Sequence, residues 1–153
     1  MPTHTEKRLI QHTPEQMFDL VADIEKYPEF LPWCVATRIR KKGIEGDCYM
    51  VISDMVIGYK MFREKFTSKV VLRYPERIDV AYFDGPFDHL NNYWIFEPVK
   101  VVGLSEDACM IDFYIDFKFN SGLFQNAIGA VFNKAANRMI HAFEERANKL
   151  YGI

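Results

Sequence analysis

The sequence predicts an α+β fold in which a curved, seven-stranded antiparallel sheet wraps around one long C-terminal helix, with two short helices after the first strand. Three patterns predict it. Residues 107–119 alternate strictly, with Ile111, Phe113, Ile115, Phe117 and Phe119 against Asp112, Asp116 and Lys118, the period of a strand with one buried and one wetted face. From Ser121 to Tyr151 there is no Pro, and Phe124, Ile128, Val131, Ala135, Met139, Phe143, Ala147 and Leu150 recur at helical spacing. Thr13-Pro14-Glu15-Gln16 places a capping Thr, a Pro at the first helical position and a Gln three residues after the cap, which is the capping box of a helix start.

Taken in order, residues 3–12 contain no helix breaker and read as the first strand. The helix begun at Thr13 turns Phe18, Val21 and Ala22 inward, and Ile24-Glu25-Lys26-Tyr27 forms a second short helix before Pro28 disturbs it. Beyond Pro32 the period becomes two, with Val35, Thr37 and Ile39 on one face and Arg38 and Arg40 on the other, as far as Gly43. Strands follow at 47–57, 60–73, 77–83, 91–98 and 107–119, separated by turn signals at Gly58, Pro75, Asp84-Gly85-Pro86 and Gly103. About 28 helical residues span about 42 Å, enough to cross a whole sheet, and Gly152 is placed to stop the helix. A sheet that curls around such a helix is a helix-grip arrangement.

At 153 residues the chain has the length of a single domain, 1–153. Apolar residues make up 49% and aromatic residues 15%, which excludes disordered and low-complexity classes. The net charge of -2 lacks the one-signed field that nonspecific nucleic-acid binding uses, so no DNA partner is expected. Cys34, Cys48 and Cys109 have neither CxxC spacing nor a pairing framework and read as small core residues, with no metal. No apolar run reaches the length of a membrane span, and the first residues carry no secretory or transit pattern, so the expected location is cytoplasmic, with peripheral contact at the inner face of the membrane.

Nothing asks for an enzyme. The histidines are scattered: His4 and His12 read as surface positions at the ends of an exposed strand, His141 as a solvated residue of the last helix, and His89 has no catalytic pattern around it. No nucleophile or phosphate-loop signature is present. Glu64 is the unusual carboxylate, because alternation with Phe62 and Phe66 points it into the apolar face. It either anchors the oxygen-bearing head of a ligand, is turned outward by a bulge, or pairs with an inward Arg. Arg38-Ile39-Arg40-Lys41-Lys42 is either a solvated edge or a contact for anionic lipid or ribosomal RNA. Two aromatic clusters, Tyr27 to Cys34 and Phe83-Asp84-Gly85-Pro86-Phe87, either plug the core or form a pocket mouth. Leu123, Phe124, Ala127, Ile128, Ala130, Val131 and Phe132 cover more than one helix face, as expected of an element gripped on several sides or facing an apolar ligand. With Trp94, Phe96, Phe113 and Phe117 opposite, sheet and helix enclose either a hydrophobic tunnel or a packed core.

The run Tyr27-Pro28-Glu29-Phe30-Leu31-Pro32-Trp33-Cys34, then Gly85-Pro86-Phe87 with Leu90, Trp94 and Phe96, then Met139 and Phe143-Glu144-Glu145-Arg146-Ala147 to Tyr151-Gly152, resembles the coenzyme Q-binding protein family of the START-like superfamily. The resemblance covers essentially the whole chain and implies the same helix-grip fold. It implies a noncatalytic lipid-binding protein that holds ubiquinone or a similar polyprenyl lipid as a bound ligand, with no cofactor, and serves respiration and ubiquinone biosynthesis as a quinone chaperone. The residues expected around that ligand are Phe30, Leu31, Trp33, Glu64, Phe66, Phe83, Pro86, Phe87, Trp94, Phe96, Phe113, Phe117, Ile128, Phe132, Ala135 and Met139, with Trp33, Phe83 and Phe87 near a mouth that opens at a transient membrane contact. The chain also resembles the ribosome association toxin family, which implies the large ribosomal subunit as an alternative partner. Polyketide cyclase-like enzymes share the grip and rank last, because Glu64 and inward tyrosines are the only groups available for catalysis.

Overall fold

Seven strands form one antiparallel sheet in the order β1-β7-β6-β5-β4-β3-β2, a meander from β2 to β7 with β1 added beside β7. They are β1 (Thr3–Ile10), β2 (Cys34–Glu45), β3 (Cys48–Tyr59), β4 (Phe62–Arg73), β5 (Arg77–Asp84), β6 (Phe87–Val99) and β7 (Ala108–Phe119). Between β1 and β2 lie α1 (Pro14–Ala22) and a 3-10 helix (Ile24–Glu29), and α2 (Met139–Tyr151) ends the fold. The computed structural model describes residues 3–59, 61–122, 130–131 and 134–152, with Tyr59 and Phe62 described by their backbone alone.

Local chemistry explains the helix starts and stops. The Thr13 hydroxyl accepts from the Gln16 backbone N–H at 3.1 Å, and the Gln16 side chain accepts from the Thr13 N–H at 3.0 Å, closing the capping box that the sequence predicts. Met17, Phe18, Leu20 and Val21 of α1 are buried. In α2 the buried set is Ile140, Phe143 and Ala147, one stripe at helical spacing. Polar contacts fasten α2 at its flanks: Arg8 to Glu144 at 3.0 Å, Arg146 to Glu29 at 2.8 Å, and His12 Nε2 to Asn148 Oδ1 at 2.7 Å.

The structure corrects four expectations. His12 is not a surface residue; it is 7% exposed, because α2 covers the end of β1. The terminal helix is not continuous through 121–151, because Arg138 forms a turn (φ -104°, ψ 0°) between the helical residues 134–137 and α2. Its N–H is shared between the carbonyls of Lys134 and Ala135, a three-centre bond of the kind that tightens a helix end. β6 starts at Phe87 rather than 91, since its first residues pair with the end of β7. Val35 does not share a buried face with Thr37 and Ile39; a bulge beside it leaves it 44% exposed.

Candidate ligand-binding cavity

The inward faces of β3 to β7, with α1, the 3-10 helix, the loop that follows it and the helical residues from 135 onward, surround a cavity of about 120 Å³. One buried water needs roughly 10–15 Å³ of such space, so this is no packing defect. Register places its sheet wall. Val70, Val80, Asn92 and Ile115 are successive partners across β4 to β7, and Ser53 stands opposite Ser68 and Met55 opposite Phe66 in the adjoining rows. Directly opposed residues share a face. The other wall is formed by Val21, Ile24, Tyr27, Leu31, Trp33, Ala135, Ala136, Met139 and Phe143.

Aromatic contacts hold the two ends of the cavity. At one end Trp94 lies 4.6 Å from Phe113 and 4.9 Å from Phe143 by ring centroids, and Phe143 packs edge-on to Tyr27 and Phe30. At the other, Phe87 stacks on Phe119 at 4.8 Å and meets Phe66 edge-on at 5.5 Å. The described wall contains no Asp, Glu, His, Lys, Arg or Cys. Its titratable group is Tyr27, which donates its hydroxyl to the Val21 carbonyl, and burial pushes that phenol far above the usual range. Ser53, Ser68 and Asn92 are the remaining hydrogen-bonding side chains of the described wall apart from the indoles of Trp33 and Trp94.

Of the residues expected around a ligand, Leu31, Trp33, Phe66, Phe87, Trp94, Phe117, Ala135 and Met139 line this cavity. Phe96 and Phe113 do not; they are buried behind Trp94, in contact with its ring. Phe30 lies one layer out, against Phe143 and under the Arg146 guanidinium. Pro86 is half-buried in the turn before β6, where its carbonyl accepts the Asn120 N–H. Phe83 is turned outward and 72% exposed, because Ile78, Val80 and Tyr82 take the inward positions of β5, and a bulge leaves it unopposed, Thr67 pairing with Asp84 and Ser68 with Tyr82. Glu64 is on the concave face, since its register partner Ile57 is buried there, but it is half-buried at the sheet end beyond the cavity wall. Ile128 and Phe132 lie outside the described residues. The sequence reading missed Ser53, Met55 and Ile57 because residues 47–57 are apolar on both faces, so alternation alone gives no inward side; it also missed Ser68 and Asn92, small polar positions between apolar ones.

The basic run lies on β2, an edge strand of the sheet. Arg40 is paired with Asp54 at 3.3 Å and Lys42 with Glu25 at 3.9 Å, while Arg38 and Lys41 are exposed. Among the described residues no helix is long and apolar enough to cross a membrane and no group of side chains is arranged to hold a metal ion.

A curved antiparallel sheet that grips helices around an apolar cavity defines a START-like helix-grip domain. A family profile described as polyketide cyclase / dehydrase and lipid transport matches residues 10–144, and the chain belongs to that family. The ribosome association toxin RatA of Rickettsia prowazekii is 36% identical over 94% of both chains. The mitochondrial coenzyme Q-binding protein COQ10 homolog B of Xenopus laevis is 30% identical over 97% of this chain, which spans 59% of that protein. The solution structure of an 18 kDa protein from Caulobacter crescentus superimposes with a TM-score of 0.76, at 34% identity and over the full length of both chains.

Proposed function

We propose that the protein binds a polyprenyl quinone or a similar hydrophobic lipid without transforming it, and carries it between membranes and the proteins that use it. The observation that carries this reading is the apolar cavity between the sheet and the C-terminal helical residues. Each buried methylene contributes about 0.8 kcal/mol, so a few isoprene units supply useful affinity. Catalysis would need an acid or base at the reacting atoms, and the described wall offers none in a usable protonation range. The likeness to a coenzyme Q-binding protein supports the quinone.

Ribosome association is the second reading, favoured by the likeness to RatA over nearly the whole of both chains and by the exposed Arg38 and Lys41 on an edge strand. One experiment separates the two. Protein purified gently from its own cells is subjected to native mass spectrometry and lipid extraction, beside an Ala135→Trp variant whose indole fills the cavity. Co-purified quinone lost in the variant is the result expected of a lipid carrier. An empty protein that sediments with large ribosomal subunits would replace that reading with the second.

A further inference from the structure

We propose that Ser53 and Ser68 form a subsite for the head of an uncharged lipid, taking a carbonyl or ether oxygen rather than a carboxylate or phosphate. The proposal rests on the lipid-binding reading and names the ligand class for the same cavity. Ser53 is 2% exposed and Ser68 5% exposed, and both line the cavity. They are register partners on β3 and β4, which puts their Cβ atoms about 4.5–5.5 Å apart on the same face, close enough for two hydroxyls to converge on one ligand oxygen. Neither hydroxyl is hydrogen-bonded to a described residue, and neither oxygen is among the fully enclosed atoms without a partner, where Arg146 Nε stands; both hydroxyls open on the cavity they line. An oxygen on the ligand would take the place of the water that such hydroxyls otherwise bond.

Asn92 gives the cavity a second polar point two strands away. Its Nδ2 donates to the Tyr114 carbonyl at 2.8 Å, which fixes the amide and leaves one N–H and Oδ1 uncommitted. The charge of the ligand follows from what is near it. The described wall holds no Lys, Arg or His. A carboxylate or phosphate buried here would lack a counter-ion in the described wall, whereas a neutral carbonyl needs only the hydroxyl donors.

Isothermal titration calorimetry with three tail-matched probes tests this: decylubiquinone as the neutral oxygenated head, decylbenzene as the ring without oxygens, and dodecanoate as the anion. The quinone is expected to bind at least tenfold more tightly than the other two. Each hydrogen bond lost should weaken binding about fivefold. A Ser53→Ala/Ser68→Ala variant should therefore lose roughly 25-fold for the quinone and stay within about twofold for decylbenzene. The two single variants and their melting curves show that the loss is local. Unchanged quinone affinity in the folded double variant, or dodecanoate binding as tightly as quinone, would overturn the serine subsite and leave lipid binding standing. Failure of all three probes to bind would overturn lipid binding and the subsite with it.

Discussion

Gly85 shows how one residue holds the cavity wall in place. It has φ +148°, and a Cβ built on it would lie 2.6 Å from Phe66 Cβ and 2.9 Å from Phe66 Cα. Glycine is needed for both reasons, the backbone conformation and the close approach. Phe66 lines the cavity and packs edge-on to Phe87, so any displacement there reaches the cavity wall. Gly85→Ala is expected to destabilise the protein by about 1–3 kcal/mol, read as a lower denaturation midpoint with an unchanged slope. An unaffected midpoint would show that the turn adjusts without strain.

At the scale of elements, the end of β5 divides two adjacent aromatic side chains. Tyr82 faces inward opposite Ser68, while Phe83, on the outer face and left without a cross-strand partner by the bulge, stands 72% exposed beside the turn between β5 and β6. In an antiparallel meander the β3–β4 and β5–β6 turns fall at the same end of the sheet, so Phe83 and the 95% exposed Met61 share that end. The loop carrying Trp33 arrives there too, since Gly58 N–H bonds the Trp33 carbonyl at 2.9 Å. Large apolar groups exposed together beside an apolar cavity suit insertion into a bilayer surface. Phe83→Asp is expected to reduce flotation with phospholipid vesicles while leaving affinity for decylubiquinone in solution unchanged. Equal flotation of variant and wild type would remove Phe83 from any membrane contact.

For the molecule as a whole, burial of the cysteines sets a pH limit. Burial pushes the Cys34 thiol up to about 11 and, opposed in part by a backbone hydrogen bond, the Cys109 thiol up to about 12, from an ordinary value of 9.0. The unfolded chain therefore releases these protons at lower pH than the folded protein. Their contribution to stability is fully present below about pH 9 and is lost as pH rises through 11 to 12. The melting temperature is expected to be flat from pH 7 to 8.5 and to fall above pH 9, less steeply in a Cys109→Ala variant. An identical fall in that variant would assign the loss to other groups. Burial of Tyr27 acts in the same direction.

The sequence by itself determined the order of elements, the one-sided burial of β7, the capping box of α1 and most of the aromatic wall, because each depends on spacing along one chain segment. Eight expected positions, Trp33, Phe66 and Trp94 among them, line the cavity. The tertiary structure decided what depends on a partner. The inward side of β3 exists only once its register with β4 is set, which is why Ser53 and Ser68 could not be read as a pair. The Phe83 bulge requires two strands of unequal count. The turn at Arg138 falls among residues 134–142, which contain neither Pro nor Gly. Trp94, Phe96 and Phe113 all point inward, and only packing separates Trp94, which faces the cavity, from the two rings buried behind it. Alternation gives the side of a sheet; depth within the core is a property of the assembled layers.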